Sequence, residues 1–361
     1  MSSTKVKNIP SSISELDALW NLNLSNCPNI TELNLNGTPP NQEQPSLVQP
    51  LNIPSSIKLF KLAQLTNLKV QECNSLKSLS GLPLSLEQLF ATGCPSLQSV
   101  SFGGNYQRVF CNLPQQFNFL FDNCFNLNQD ARDNSLAAFL MIIKVLAKQS
   151  AMQLKLHVIP RWYDEFPRLI YCLPGYEIFD KFENKSKNSS ITVKLDSGTS
   201  ITRFLCFALC VILDYNHFDE FGACSTYVYC EYQLKGIYGF QNFRRAWRSG
   251  KWGKRECDFQ VHPIRISNDH VFVMFSNDMV HKDMEYEEAS FDFKVTCSCY
   301  DDDDGDDDDD DYDDDDVADV HEERKVNECG VHVFYVDAYT FNVSDASCNI
   351  NFSSEEGIMQ S

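Results

Sequence analysis

The chain has 361 residues, of which 43% are hydrophobic and 12% aromatic, enough to fill the cores of two or three domains. Its formal charge of −20 includes 14 aspartates between Asp301 and Asp316, so the other residues carry only about −6. The N-terminus has no apolar signal-peptide core and the longest apolar run, Phe204–Leu213, is half a membrane span, which disfavours secretion and membrane insertion. Fifteen cysteines in such a chain predict reduced thiols and a cytoplasmic or nuclear location.

Two features of the N-terminal part repeat. The hexapeptide NIPSSI occurs at residues 8–13 and again at 52–57, and a pattern L-x-x-L-x-L-x-x-C recurs from Leu19, Leu65 and Leu86. This pattern is the leucine-rich-repeat template, with Cys27, Cys73 and Cys94 in the turn. The 46 residues from Cys27 to Cys73 are interpreted as two repeats of 23, with the short strand LNLNGT (33–38) in the irregular repeat between them. We therefore expect four or five repeats, with NIPSSI in the convex segments.

The residues between the repeat leucines are expected to face outward from a concave sheet and to form a binding surface. They are Asn21, Asn23, Ser25, Asn67, Lys69, Gln71, Gln88, Phe90 and Thr92. The partner-binding candidates on this surface are Asn23, Lys69, Gln71 and Phe90.

Beyond the repeats the hydrophobic period changes twice. Residues 131–148 have apolar side chains at helical spacing and no Pro or Gly, which predicts a helix docked on a core. From Arg168 the period falls to two in short Val/Ile/Phe/Tyr-rich segments, typical of an antiparallel β-sandwich. These segments are SSITVKL, FLCFALCVIL, TYVYCEYQL, FQVHPIRI, HVFVMFS, SFDFKVT and GVHVFYV.

The predicted fold class is therefore α+β overall, a short leucine-rich-repeat solenoid, a helical joint and then an antiparallel β-sandwich. The expected boundaries are 1–115 for the repeats, 116–160 for the joint, 161–345 for the sandwich with an Asp-rich insertion at 300–318, and 346–361 for a flexible tail.

The order of these motifs resembles the C-terminal part of plant TIR-type nucleotide-binding leucine-rich-repeat immune receptors. The resemblance rests on the Cys-bearing repeats, then FDNCFNLNQDAR, YCLPGYEI, SSITVKL, FLCFALCVIL, SNDHVFVMF and VNECGVHVFY, over about residues 8–337. It implies that the sandwich is the post-repeat jelly-roll/Ig-like domain called C-JID. It also implies that repeats and C-JID loops together bind a pathogen effector, whereupon upstream TIR domains assemble and cleave NAD.

The sequence departs from that family in two respects. It contains no TIR or nucleotide-binding module and no G-x-x-x-x-G-K-[ST] phosphate loop, which leaves the sensing part of the receptor and no cofactor. The motif that opens the family's β-domain usually reads L-P-G-x-E-I-P-x-W-F, whereas Phe179 and Lys181 stand here at the Pro and Trp positions, removing a rigid turn and a large apolar anchor.

Three features could carry chemistry. The aspartate run lacks the Glu and the spacing of a calcium loop, so we interpret it as a solvated insertion. The pairs Cys206/Cys210, Cys224/Cys230 and Cys297/Cys299 lack zinc-knuckle spacing, and two of these cysteines lie in an apolar strand. No HExxH or GxSxG motif occurs, so no metal site and no catalytic residue is predicted.

The segment FRRAWRSGKWGKRE interleaves basic and aromatic residues. Such a pattern can bind single-stranded nucleic acid, but the acidic chain has no nucleic-acid-binding fold signature, so a connection between strands that contacts a protein is favoured. Arg and Trp are preferred interface anchors. Arg244, Arg245, Trp247 and Trp252 are accordingly the partner-binding candidates of the second domain.

These observations predict a non-enzymatic protein-recognition module. The resemblance implies that it senses a pathogen effector in plant innate immunity, with a full-length receptor as a second candidate partner. Two alternatives stay open. One is a carbohydrate-binding sandwich that uses the repeats as a scaffold, against which the missing signal peptide argues. The other is a truncated receptor copy without its own ligand, because the chain begins at Met1 almost inside a repeat.

Overall fold

A computed structural model describes residues 18–35, 64–83, 86–103, 116–155, 168–195, 203–213, 224–249, 269–280, 284–299 and 322–337, and positions 7, 9, 13 and 16. These residues form mostly β-strands and one helix, as expected for a β-rich chain. The N-terminal strands are β1 (Asn21–Asn23), β2 (Glu32–Asn34), β3 (Asn67–Lys69), β4 (Ser78–Pro83), β5 (Gln88–Phe90), β6 (Ser99–Gly103) and β7 (Gln116–Leu120). The helix α1 spans Gln129–Lys155.

Ten further strands follow the helix. They are β8 (Arg168–Pro174), β9 (Asn184–Ser186), β10 (Ser190–Lys194), β11 (Arg203–Leu213), β12 (Cys224–Gly236), β13 (Gly239–Ser249), β14 (His270–Ser276), β15 (Tyr286–Cys299), β16 (Glu322–Arg324) and β17 (Val326–Asp337). The predicted strand FQVHPIRI and the Asp-rich insertion lie outside the described residues.

One nine-stranded sheet, which we call the shared sheet, runs through both halves of the chain in the order β1-β3-β5-β7-β8-β14-β11-β17-β9. Its N-terminal strands are parallel, and β8 continues the parallel ladder by pairing with β7. The sandwich is therefore not purely antiparallel, and the expected helical joint at 116–160 begins with a strand. Pairing β8 with β7 hydrogen-bonds an edge that would otherwise be exposed.

The 46-residue step from Cys27 to Cys73 is a single layer and not two repeats, because β1 pairs directly with β3. The segment predicted as an intervening repeat contributes β2, which belongs instead to a separate small sheet with β4 and β6. The second NIPSSI hexapeptide lies outside the described residues, whereas Ile9 and Ile13 of the first pack against the core.

A turn with the same geometry follows each of β1, β3, β5 and β7. The residues Asn26, Glu72, Gly93 and Asn123 all have positive φ, a conformation that Gly and Asn adopt at low cost but Glu does not. The next residue is always a buried cysteine, and the Sγ atoms of Cys73, Cys94 and Cys124 donate to carbonyl oxygens of the preceding layer at 3.0–3.2 Å. Each layer is thus hydrogen-bonded to the one before it.

The two faces of the shared sheet line two different cores. Leu22, Leu68, Leu89 and Phe119 belong to the first core, whereas Leu120 and alternate residues of β8, β11 and β14 belong to the second. As predicted, Leu22, Leu24, Leu68, Val70, Leu89 and Ala91 are all buried. Helix α1 covers the first core and packs against β6, β8, β11 and β17.

Local contacts explain where the helix starts and how it docks. Asn128 caps it by accepting a hydrogen bond from Ala131 N at 2.8 Å. Arg132 donates to the carbonyl of Pro174 at 2.7 Å, and Ser135 hydrogen-bonds the Tyr171 hydroxyl at 2.8 Å. The departure from the family motif at Phe179 is accommodated because its ring is buried near that of Tyr171.

The second core is closed by a second sheet in the order β10-β15-β12-β13, with β16 pairing β15. The two sheets are stacked so that β10 packs against β17 at one side and β13 against β8 at the other. Among the described strands, β13 pairs only with β12, so it forms the edge of the second sheet that lies nearest to the N-terminal strands. Within the described part of the chain, β1, β3 and β5 extend beyond that edge, and the second sheet leaves their face of the shared sheet uncovered except where Phe90 packs on the second core.

Candidate functional site

The face of the shared sheet that the described strands of the second sheet leave uncovered carries a row of side-chain amides. Strand register places Asn21 beside Asn67, Asn67 beside Gln88, and Gln88 beside Asn118. We call this row and the neighbouring row of Asn23, Lys69 and Phe90 the open face. Each carboxamide has both a hydrogen-bond donor and an acceptor, so the row can bind main-chain or side-chain polar groups of a partner.

Asn118 ends the amide row on β7, where it lies between Gln88 and Ile170 of β8. Its side chain is 4% exposed, and Nδ2 has no hydrogen-bond partner. An unpaired buried N–H costs free energy, and such groups are rare in native structures.

The second row of the open face combines a cation and an aromatic ring. Lys69 Nζ lies 5.6 Å from the centre of the Phe90 ring, which is the geometry of a cation–π contact. Phe90 is only half exposed, because one side of its ring packs on the second core. Asn23 is also half-buried, and its Oδ1 accepts a hydrogen bond from Ser25 N at 3.0 Å.

A third row, just after the strands, supports the open face rather than contributing to it. The predicted candidate Gln71 is half-buried here, but Ser25 and Thr92, which we expected to face outward, are buried. Thr92 Oγ1 donates to Asp122 Oδ2 at 3.1 Å, and the Cys172 thiol donates to Asp122 Oδ1 at 2.7 Å. Burial and the adjacent Asp122 carboxylate hold the pKa of Cys172 well above its usual value.

The basic segment is a strand over the residues that the structure describes, and not a connection between strands. Trp247 lies on β13, is only 2% exposed in the second core, and donates from Nε1 to the carbonyl of Phe275 at 3.1 Å. The prediction that Trp247 anchors a partner is therefore wrong, since alternation along β13 turns its side chain into the core. Trp252 lies outside the described residues.

The two arginines of this segment differ. The side chain of Arg245 lies on the same face of β13 as that of Trp247. Its Nε lies 2.8 Å from Asp278 Oδ2, so its charge is already paired. Arg244 points to the opposite side of β13, is exposed, and places its guanidinium 4.9 Å from the centre of the Tyr229 ring. Of the four predicted residues, only Arg244 presents a described and exposed side chain.

The hairpin between β12 and β13 presents apolar side chains that the sequence interpretation missed. Gly236 pairs with Gly239, so Ile237 and Tyr238 form a two-residue loop, in which Gly239 has φ +112°. Tyr238, Ile237 and Phe240 are 85%, 67% and 59% exposed. The G-x-x-G spacing between two alternating segments is a hairpin signal that could have revealed this apolar tip.

Within the described ranges, the side chains of His, Cys, Asp and Glu form no group of three or more that could hold a metal ion. The helix that the structure describes is not apolar enough over a sufficient length to cross a membrane.

Residues 173–340 match the C-JID domain family. The chain is 29% identical over 211 residues to disease resistance protein RPP2B of Arabidopsis thaliana. The aligned stretch covers 58% of this chain and 17% of that protein. It is 26% identical over 327 residues to disease resistance protein RPS4B of the same plant. Here the aligned stretch covers 81% of this chain and 26% of that protein.

The resemblance to the C-terminal part of plant TIR-type nucleotide-binding leucine-rich-repeat receptors is thereby confirmed. A third similar protein is disease resistance protein LAZ5 of Arabidopsis thaliana, 26% identical over 229 residues. The chain spans about a fifth of the length of these curated relatives.

Proposed function

We propose that this chain is a non-enzymatic protein-recognition module of plant immunity that binds a pathogen effector protein. In this proposal residues 1–115 form a leucine-rich-repeat solenoid, 116–160 close it, and 161–345 form a C-JID β-sandwich. The similarity to plant disease resistance proteins supports a role in immunity. A full-length receptor is the second partner in this proposal.

The observation that carries the proposal is the uncovered amide row beside the edge of the second sheet. Asn21, Asn67 and Gln88 lie in register on the parallel part of the shared sheet, which the described strands of the second sheet leave open. A partner on this face would meet uncharged donors and acceptors, and Lys69 and Phe90 would add a cation and an apolar surface. Such a mixture is typical of non-obligate protein interfaces, which are polar around a small apolar centre.

The hairpin tip is the second contact in this proposal. Ile237, Tyr238 and Phe240 expose apolar area that solvated loops rarely present together. Tyr is among the residues that contribute most to binding at interfaces, so Tyr238 replaces the buried Trp247 as the aromatic anchor.

A pull-down from pathogen-inoculated leaves tests the proposal, with the purified chain as bait. The variants are Gln88→Arg with Lys69→Glu on the open face, and Tyr238→Ala at the hairpin tip. Each should weaken binding of the partner by about 1–3 kcal/mol while the thermal unfolding temperature stays unchanged. Glu183→Ala, at an exposed position away from both surfaces, is the control. Recovery of one identical set of proteins by all baits would overturn the proposal.

A further inference from the structure

The outer face of the second sheet, which points away from the second core, contains a shallow groove. It crosses β10, β15, β12 and β13 and has a volume of about 630 Å³. Val228, Cys230, Tyr232 and Leu234 of β12 are buried in the core, so the alternate residues of this strand point outward into the groove.

One row of the groove consists of uncharged polar side chains in register. Thr192, Ser290, Gln233 and Asn242 lie on four consecutive strands. The hydroxyls of Thr192 and Ser290 are 2.9 Å apart, and Gln233 Nε2 donates to Asn242 Oδ1 at 2.8 Å. These bonds fix the side chains and leave the Gln233 oxygen and the Asn242 nitrogen as an acceptor and a donor for a ligand.

The adjacent row is charged but balanced. Register places Glu231 between Asp292 and Arg244, and Lys294 Nζ lies 3.5 Å from Glu231 Oε2. Two carboxylates face two cations, so the groove favours neither a polyanion nor a polycation. Beyond this row, Arg244 stacks on Tyr229, and Tyr229 stacks on Tyr227 with ring centres 6.2 Å apart.

The chemistry of the groove selects its ligand. The lining includes Ile191, Tyr232, Phe243 and Phe291, but their side chains pack on the second core, so those that point outward into the groove are hydroxyls, amides and balanced charges. A protein interface needs exposed apolar side chains at its centre. A nucleic acid needs a positive surface, which is absent from the described part of the groove. A polyhydroxylated chain uses both donors and acceptors at closely spaced positions and needs no net charge.

We propose that this groove, with Thr192, Ser290, Gln233 and Asn242 beside Asp292, Glu231 and Arg244, binds a neutral oligosaccharide. The site is separate from the open face, because it lies on the other side of the second sheet. The glycan could be a free oligosaccharide or one attached to a protein, and both present the same hydroxyl chemistry.

Isothermal titration of the full chain tests this proposal with cellohexaose, xylohexaose and mannohexaose as free ligands, and a high-mannose glycopeptide as the attached one. At least one probe should bind, and Gln233→Ala or Asn242→Ala should each weaken that binding about tenfold, the effect of losing one or two hydrogen bonds. Lys69→Ala on the open face should leave it unchanged. Preference for the hexasaccharides or for the glycopeptide distinguishes the two sources.

Three results would overturn the proposal. One is that no probe binds, another is that binding is unaffected by Gln233→Ala and Asn242→Ala, and the third is that a single-stranded oligonucleotide binds the groove instead. Asn242 is exposed, so its substitution does not disturb the core, and an unchanged thermal unfolding temperature verifies this. Because Lys69 and Gln88 take no part in this site, failure here leaves the proposed effector binding untouched.

Discussion

The thiol of Cys172 donates a hydrogen bond to the carboxylate of Asp122 across 2.7 Å, joining the strand that begins the sandwich to the last cysteine-bearing turn. Thr92, one layer earlier, donates to the other oxygen of the same carboxylate. One buried acidic side chain therefore links three consecutive layers of the shared sheet.

Replacing this carboxylate should destabilise the whole chain. Asp122→Ala leaves the Thr92 hydroxyl and the Cys172 thiol buried without an acceptor, and we expect a loss of about 3 kcal/mol in the free energy of unfolding. Urea denaturation measures it, with Glu183→Ala, exposed at the surface, expected to change it by less than about 0.5 kcal/mol. A double-mutant cycle with Cys172→Ala should give a coupling of about 1 kcal/mol, and additivity would show that the two residues do not interact.

Trp247 should behave as a core residue. Trp247→Ala removes a large buried side chain and its hydrogen bond to Phe275, so we expect a loss of about 3–5 kcal/mol in the free energy of unfolding. Phe240→Ala, on the same strand but exposed, should change it by less than about 0.5 kcal/mol. Equal effects of the two substitutions, measured by thermal or urea unfolding, would contradict the placement of Trp247.

The buried thiols make stability depend on alkaline pH. Burial raises the pKa of Cys172, Cys210 and Cys230 well above the ordinary value in the folded chain. Above about pH 8.5 these thiols lose protons only when the chain unfolds. The stability that the buried thiols contribute is therefore fully present below that pH and declines above it. Above that pH, each of the three thiols should lower the free energy of unfolding by about 1.4 kcal/mol per pH unit.

Urea unfolding under reducing conditions at pH 7, 8, 9 and 10 measures this slope. A Cys210→Ala variant should show a smaller decline than the wild type, because one titrating thiol is removed. A free energy of unfolding that is constant up to pH 10 would mean that the thiols are not sequestered.

Some of the architecture was predictable because it depends on local spacing. The cysteine pattern at Cys27, Cys73 and Cys94 marks the turns correctly, since each layer needs a small buried donor at the same place. The helix at 129–155 follows from its apolar spacing and the lack of Pro and Gly. The outward orientation of Asn21, Asn67 and Gln88 was predictable because each is followed by a buried leucine, and successive side chains of a strand point to opposite faces of the sheet.

Other features depend on contacts between distant segments and leave no local signal. The pairing of β7 with β8 joins residues about 50 positions apart, so the sequence did not reveal that one sheet runs through both halves. The strand β13 was overlooked because Arg245 occupies an inward position that an apolar residue would normally mark, and its charge is neutralised by Asp278, which follows 33 residues later. The direct pairing of β1 with β3 across the segment 36–63 was likewise not predictable from the 46-residue spacing.

The most direct test of the proposed recognition is photo-crosslinking from the open face in pathogen-inoculated plant tissue. A benzophenone amino acid placed at position 67, in the middle of the amide row, should capture a protein of the pathogen, and Lys69→Glu in the same bait should abolish that product. The same photoreactive group at position 183 is the matched control and should capture no such protein. If positions 67 and 183 yield the same products, or if Lys69→Glu leaves the capture at position 67 unchanged, the open face does not bind an effector.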